Sequence, residues 1–126
     1  MFEVTVETSF AAAHQLRNYK GKCENLHGHN YRVRVTVEGE SLNAAGLLAD
    51  FGEVKGLLRE ISERLDHKFL NEIEPFTEIN PSAENVAWFI CGEMQKGLKA
   101  GAADAPLRIA EVRVWETDTS VAAYRP

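Results

Sequence analysis

The chain has 126 residues and a formal net charge of −5, so it is long enough for one domain, residues 1–126, and too short for two. The acidic balance argues against a general nucleic-acid binder, and no apolar run or basic-then-apolar N-terminus indicates a membrane span or a secretory signal. Two cysteines are too few for a secreted disulfide framework, so the composition favours a reducing, cytoplasmic location.

The first two predicted elements are strands, because apolar and polar residues alternate along them. Phe2 to Phe10 is the first strand, and residues 30–38 are its antiparallel partner. If the second strand begins near His27, then His27 and His29 point to the same face, because strand side chains repeat every two residues. His14 follows the first strand, and pairing of the two strands would bring its ring beside the other two.

These three histidines are the candidate metal ligands. A catalytic zinc ion usually takes three protein ligands and keeps a fourth position open, although imidazole also suits copper, iron and nickel. The alternative is three unrelated histidines, each hydrogen-bonded or exposed. Cys23 lies in a polar loop four residues before His27. It is either a reactive thiolate or the fourth ligand of a closed structural zinc site.

Two helices are predicted in the middle of the chain. A short segment, residues 46–51, is expected to extend a strand up to a break at Gly52. The first helix then covers Glu53 to Leu65, with Asp50 or Gly52 near its cap. The second helix begins after the N-cap Ser82 and runs to about residue 98, because its apolar residues repeat with helical spacing.

The last two predicted elements are strands at residues 107–116 and 121–124. The order strand, strand, helix, helix, strand, strand predicts an α+β fold, with two helices on one face of an antiparallel sheet. Several strands also carry apolar residues on the second face. Assembly with other copies of the chain would cover that face.

Two pairs of acidic or basic residues are further candidates. In Asp66-His67 a carboxylate can orient an imidazole for general-base chemistry, or His67 simply lies at a favourable helix C-terminus. Glu84 either stabilises the first turn of the second helix or binds a ligand. Glu116 is either solvated or also binds a ligand. A carboxylate is the natural partner of a guanidine-like heterocycle edge, which offers two parallel N–H donors.

Six short motifs, taken in order along the whole chain, resemble the 6-pyruvoyl-tetrahydropterin synthase / 6-carboxytetrahydropterin synthase family. They are Phe10-Ala11-Ala12-Ala13-His14, Cys23-x3-His27-Gly28-His29, Asp50-Phe51-Gly52, Leu65-Asp66-His67, Pro81-Ser82-Ala83-Glu84-Asn85 and Glu116-Thr117. The resemblance implies a tunnelling fold (T-fold), with a four-stranded antiparallel sheet and two helices per subunit. It also implies a trimeric barrel, with two trimers stacked into a hexamer.

The resemblance also implies a role for each candidate residue. The metal ligands would be His14, His27 and His29, holding Zn2+. Cys23 would be the general base, with Asp66 and His67 as a relay that reaches the site across a subunit boundary. Glu84 and Glu116 would anchor a pterin ring. The substrate triphosphate needs cations, for which the candidates are Arg17, Lys20, Lys22, Arg32 and Lys68.

The implied substrate is 7,8-dihydroneopterin triphosphate. The Cys-x3-His-Gly-His spacing is similar to the lyase branch that makes 6-carboxy-5,6,7,8-tetrahydropterin for queuosine, releasing triphosphate and acetaldehyde. A folate branch carries Glu-x2-His-Gly-His and makes 6-hydroxymethyl-dihydropterin, and Glu24 has that spacing too. Carboxy formation is the leading interpretation. The alternatives are the folate-type product, 6-pyruvoyl-tetrahydropterin, or a structural-zinc or pterin-binding module without turnover.

Overall fold

The computed structural model describes residues 1–21, 24–100 and 106–126, without the side chains of residues 99 and 100. Its elements are β1 (Phe2–His14), β2 (His27–Gly39), α1 (Phe51–Glu63), β3 (Lys68–Phe69), a 3-10 turn (Leu70–Glu72), α2 (Ala83–Ala100), β4 (Arg108–Thr117) and β5 (Ser120–Tyr124). Neither helix has the length and apolarity that crossing a membrane would require, as far as the described residues extend.

The strands form one sheet in the order β3-β1-β2-β4-β5. The prediction of an α+β fold with two helices and an antiparallel sheet is confirmed, but the sheet has a fifth strand. That strand is β3, which has two residues and pairs in parallel with Ala12 and Ala13 of β1. A strand of two residues cannot show an alternating pattern, which is why the sequence did not predict it.

The core lies between the two helices and one face of the sheet. Alternate residues of β1 and β2 point inward, since strand side chains alternate between faces. The helices contribute apolar stripes, and each fully buried apolar side chain contributes about 1.5–3 kcal/mol to stability. The fully or nearly fully buried side chains include Val6, Phe10, Tyr31, Val33, Val35, Val37, Leu58, Ile61, Val86, Ile90 and Met94.

The other face of the sheet carries mostly charged and hydroxyl side chains on β1 and β2. Trp115 and Val121 place large apolar side chains on this face of β4 and β5, so the prediction of apolar residues there is confirmed in part. Glu7, Arg34 and Arg113 lie side by side across three strands. The guanidinium of Arg34 donates to the Glu7 carboxylate at 2.7 Å, and the hydroxyls of Thr5 and Thr36 are 3.1 Å apart. Any assembly that covers this face would therefore enclose charged and hydroxyl groups.

Both helices begin at side-chain caps. The Asp50 carboxylate accepts hydrogen bonds from the backbone N–H groups of Gly52 at 2.7 Å and Glu53 at 3.2 Å. The Ser82 hydroxyl accepts one from Asn85 N–H at 3.2 Å. Because Asp50 caps α1 and Phe51 is already helical, residues 46–50 form a loop, and the predicted strand extension at 46–51 was wrong.

A β-bulge in β4 changes which residues of that strand face the core. Thr36 pairs with Glu111 and Val37 with Ile109, so Ala110 is the extra residue. An extra residue shifts the alternation by one, and Ile109 therefore shares the buried face with Val112. Regular alternation along residues 107–116 would have placed these two residues on opposite faces, and the bulge is the reason that they share one.

Candidate active site

The structure brings His14, His27 and His29 together at one end of the β1–β2 pair. His14 and His27 are register partners, and Ala12 pairs with His29. One ring nitrogen from each histidine lies within 4.8 Å of the other two. His14 is buried and the other two are partly exposed. The three imidazoles are thus positioned to bind a metal ion.

Backbone carbonyls fix two of the three rings. His14 Nδ1 lies 2.7 Å from the Pro81 carbonyl oxygen, and His27 Nδ1 lies 2.8 Å from that of Asn25. A carbonyl only accepts hydrogen bonds, so both Nδ1 atoms carry the hydrogen and both Nε2 atoms present lone pairs. Those Nε2 atoms are 2.9 Å apart. Two lone pairs at this distance repel unless a cation lies beside both of them.

The third ring supplies another free lone pair. His29 Nε2 is buried and has no hydrogen-bond partner among the residues that the structure describes. Burial lowers the pKa of His29, which favours the neutral form that a metal requires, although Glu116 opposes this effect. An unpaired buried nitrogen and two rings with fixed tautomers fit a metal ion held by three imidazoles, since metal-bound histidines usually donate their other ring N–H to a carbonyl or carboxylate.

Two carboxylates lie beside the histidine cluster. Glu116 lies at a bulge where β4 meets β5, and its oxygens are 3.9 Å from His14 Nε2 and 3.7 Å from His29 Nε2. Glu24 Oε1 is buried without a partner within the described residues and lies 3.6 Å from His27 Nδ1. The resemblance implies a place for Glu116 in the site, but the residue pattern alone does not indicate its proximity to the histidines, because that depends on the pairing of β4 with β2.

Asp66 and His67 form an ion pair just after α1, with His67 Nδ1 2.9 Å from Asp66 Oδ2. They can face each other because the chain has left the helix and His67 has a φ of 56°. Both residues also bind the backbone of Ala11: its N–H donates to Asp66 at 2.9 Å, and its carbonyl accepts from His67 N–H at 2.6 Å.

The environment of this pair differs from that of the three histidines. The Ala11 N–H, and after it His67, lower the pKa of Asp66 below its ordinary value, so the carboxylate is ionised at neutral pH. The His67 side chain is 82% exposed. One side of the pair is therefore fixed to β1, three residues before His14, while the ring projects into solvent.

Cys23 and Glu84 are the remaining candidates for proton transfer and ring binding. Cys23 and Lys22 lie outside the described residues. Glu84 is exposed in the first turn of α2, and its carboxylate makes no hydrogen bond or ion pair within the described parts of the chain. The carbonyl of Pro81, three residues earlier, is the one that binds His14.

The candidate cations for a triphosphate differ in how far they are already engaged. The Arg17 guanidinium donates to the carbonyls of Phe76 at 2.6 Å and Ile79 at 3.3 Å, so it is occupied in holding a loop. Arg32 stacks over the Trp115 ring at 4.0 Å. Of the candidates that the structure describes, Lys20 and Lys68 are exposed, and the Lys20 ammonium lies 5.4 Å from the centre of the Tyr19 ring.

Comparison with known proteins gives one consistent family. The family model described as 6-pyruvoyl tetrahydropterin synthase matches residues 3–126. Human 6-pyruvoyl tetrahydrobiopterin synthase is 36% identical, over 98% of this chain and 90% of that protein. Haemophilus influenzae 6-carboxy-5,6,7,8-tetrahydropterin synthase is 31% identical over 99% of both chains. The structure of Caenorhabditis elegans 6-pyruvoyl tetrahydropterin synthase superposes with a TM-score of 0.81, at 28% identity, over 100% of this chain and 97% of that one.

Proposed function

Because the chain belongs to the 6-pyruvoyl tetrahydropterin synthase family, we propose that it is a zinc-dependent lyase acting on 7,8-dihydroneopterin triphosphate. The proposed product is 6-carboxy-5,6,7,8-tetrahydropterin, formed with release of triphosphate and acetaldehyde on the route to queuosine. The main support is the cluster of His14, His27 and His29, in which two rings have their tautomers fixed by carbonyls and the third has an unpaired buried nitrogen.

The proposed ligands of the zinc ion are the three histidines. A bound Zn2+ acts as a Lewis acid, which polarises a substrate oxygen and makes a neighbouring proton easier to remove. Glu116 lies close enough to the cluster to accept the N–H groups of a pterin edge while the substrate side chain reaches the histidines. Glu84 is proposed as a second anchor of the ring.

The proposed proton-transfer groups are Cys23, assisted by Asp66 and His67. A thiolate near positive groups is an effective base, and the Asp66 carboxylate orients the His67 ring that it contacts. Since that ring projects into solvent, we propose that it completes the site of another subunit. Glu24 is proposed as an alternative base, and its buried, unpaired oxygen beside His27 supports this role.

The alternative products are tested by separating the two bases. Purified enzyme is incubated with dihydroneopterin triphosphate, and the pterin product, triphosphate and acetaldehyde are measured. We expect Cys23→Ala to abolish carboxy formation and Glu24→Ala to remove any 6-hydroxymethyl-dihydropterin. If Glu24→Ala leaves the product distribution unchanged, the folate-type activity is wrong. If the wild-type protein releases no triphosphate or acetaldehyde, carboxy formation is wrong.

The non-catalytic alternative is tested by the metal content of Cys23→Ala. A catalytic site with three histidine ligands keeps its zinc and its fold when the thiol is removed, and only turnover is lost. In a closed structural site Cys23 is the fourth ligand, so its removal releases zinc and destabilises the protein. Zinc content by atomic emission and thermal unfolding of the same sample distinguish the two results.

We also propose that the chain assembles as a hexamer of two trimers. The outer edge of β1 pairs with β3 at Ala12 and Ala13 alone, within the described residues, so most of this 13-residue strand is open. The outer edge of β5 is likewise at the end of the sheet. Open edges of this length readily pair with another chain. Light scattering coupled to gel filtration tests the mass, and a monomer at working concentration would contradict the proposal.

A further inference from the structure

Two groups compete for Nδ1 of His14. The Pro81 carbonyl oxygen lies 2.7 Å from it, and the Tyr31 hydroxyl lies 3.1 Å from it. The hydroxyl is completely buried and has no other hydrogen-bond partner among the described residues. A carbonyl can only accept, whereas a hydroxyl can also donate, so the two groups favour different tautomers of the ring.

The two tautomers have opposite consequences for a metal ion. When Nδ1–H donates to Pro81, Nε2 presents a lone pair and the ring is a competent ligand. When Tyr31 donates to Nδ1, the hydrogen is on Nε2, where it points at His27 Nε2 only 2.9 Å away. In this second arrangement Tyr31 donates to Nδ1 and Nε2–H donates to His27 Nε2, so a hydrogen occupies the nitrogen that a metal needs. The position of the Pro81 carbonyl therefore decides which tautomer prevails.

Asn80, the residue before Pro81, is held in place through both its side chain and its backbone carbonyl. The Asn80 side chain accepts from Arg17 N–H at 2.8 Å and donates to the Arg17 carbonyl at 2.9 Å, as a neighbouring strand would. The Asn80 carbonyl in turn accepts from the Asn85 side chain at 2.8 Å. Arg17 lies three residues after His14, so the loop before α2 is tied to the same chain segment that carries the ligand.

We propose that Asn80 is a positioning residue that holds the Pro81 carbonyl against His14 and so keeps Tyr31 from imposing the tautomer that cannot bind metal. The inference rests on the proposed function only in taking the three histidines as metal ligands. No substrate takes part in the argument. The Pro81 carbonyl and the Tyr31 hydroxyl meet at Nδ1 of His14, while Asn80 ties the residue next to Pro81 to Arg17.

The test is a Co2+ titration of the metal-free protein, followed by the absorption bands of the bound ion. We expect Asn80→Ala to weaken Co2+ binding about 10- to 100-fold, the range for loss of an outer partner of a metal ligand. Tyr31→Phe in the Asn80→Ala background should restore most of the affinity, because the competing donor is gone. Nitrogen NMR of the metal-free Asn80→Ala protein should show His14 with its hydrogen on Nε2.

Asn43→Ala is the matched control. Like Asn80, Asn43 binds backbone groups of a loop through its side chain: its oxygen accepts from the N–H groups of Ala45 at 2.9 Å and Leu47 at 3.0 Å. This loop does not contact the histidines. The substitution should leave Co2+ affinity unchanged. If Asn80→Ala binds Co2+ as tightly as wild type, or if Tyr31→Phe fails to restore a weakened affinity, the proposal is wrong.

A second variant guards against loss of folding. Asn85→Ala removes the hydrogen bond to the Asn80 carbonyl and is judged by the same two criteria if Asn80→Ala does not fold. Because these titrations contain no pterin, they are independent of turnover. Absence of turnover with the expected Co2+ results would overturn the proposed reaction alone, and turnover without them would overturn the positioning role alone.

Discussion

The three histidines and the Asp66–His67 pair are both held by β1, but to very different degrees. His14 is 1% exposed and its Nδ1 is bonded to the Pro81 carbonyl, whereas the His67 side chain is 82% exposed and, among the described residues, its ring is paired with Asp66 alone. The first group is complete within one chain. The second is anchored at the carboxylate and leaves its imidazole available to a substrate or another subunit.

This difference predicts that the two groups fail in different ways when mutated. A change at His14 should alter metal binding and stability together, because its ring is buried and bonded to the Pro81 carbonyl. A change in the pair should alter turnover with metal content and folding preserved.

The largest effect is expected for His14→Ala. It removes one of three proposed ligands. Loss of a group that only hydrogen-bonds to a ligand lowers metal affinity about 10- to 100-fold, and the loss of zinc affinity should be larger here. The substitution also leaves the Pro81 carbonyl without its ring partner, which should destabilise the metal-free protein by about 1–3 kcal/mol. Competition with a zinc chelator and urea unfolding measure the two effects. Unchanged zinc affinity would contradict the assignment.

The next effect is expected for Asp66→Asn. The amide oxygen can still accept from Ala11 N–H, but the carboxylate charge beside the His67 ring is gone. Turnover should fall about 100- to 10,000-fold, the range for general acid–base groups, with zinc content unchanged. His67→Gly should do the same while keeping the positive φ at no cost in strain. Loss of zinc in either variant would contradict the separation.

A smaller effect is expected from acid on the Asp66 pair. The pKa of Asp66 is lower in the folded protein than its ordinary value of 3.8, chiefly through the Ala11 N–H. Such a group stabilises the fold above the unfolded pKa, and the stabilisation is lost as the pH falls through the lowered folded value. Wild type should therefore be more stable than Asp66→Asn at neutral pH, and the difference should shrink only in strong acid. Denaturant unfolding at a series of pH values measures it, and a constant difference would contradict the shift.

The smallest effect is expected for Asp50→Ala, which tests whether general destabilisation reaches either region. Losing an N-cap carboxylate costs about 1 kcal/mol, within a range of about 0.5–2. Thermal unfolding should register that loss, while zinc affinity and turnover stay at wild-type values. A drop in zinc affinity would show that the cluster responds to any weakening of the fold, which would contradict its separation from the Asp66–His67 pair.

Most of the secondary structure could be predicted from the sequence because its patterns are local. Alternation along β1 and β2 and the caps at Asp50 and Ser82 indicated the elements to within a few residues. The exceptions depended on pairing. The bulge at Ala110 reverses the alternation of β4 only because Thr36 and Val37 are opposite it, and nothing in residues 107–116 alone indicates this.

The candidate site follows the same division. The spacing of His27 and His29 indicated a shared face, the predicted pairing of the first two strands added His14, and the resemblance assigned roles to the acidic residues. The contacts of the Pro81 and Asn25 carbonyls with the histidine rings could not be predicted, because every residue has a backbone carbonyl whatever its side chain. The position of Glu116 beside two histidines also arises only when β4 is placed against β2 and β5.

The register of β1 against β2 has a consequence for quality control in the cell. His14 lies opposite His27 in the same pairing that places Phe10 opposite Tyr31, and both of these aromatic rings are buried. A slip by one residue would separate the donors and would also turn the aromatic rings toward water. Molecules in which the His14 and His27 nitrogens are misaligned are therefore also unstable, and the proteases that degrade poorly folded chains remove them.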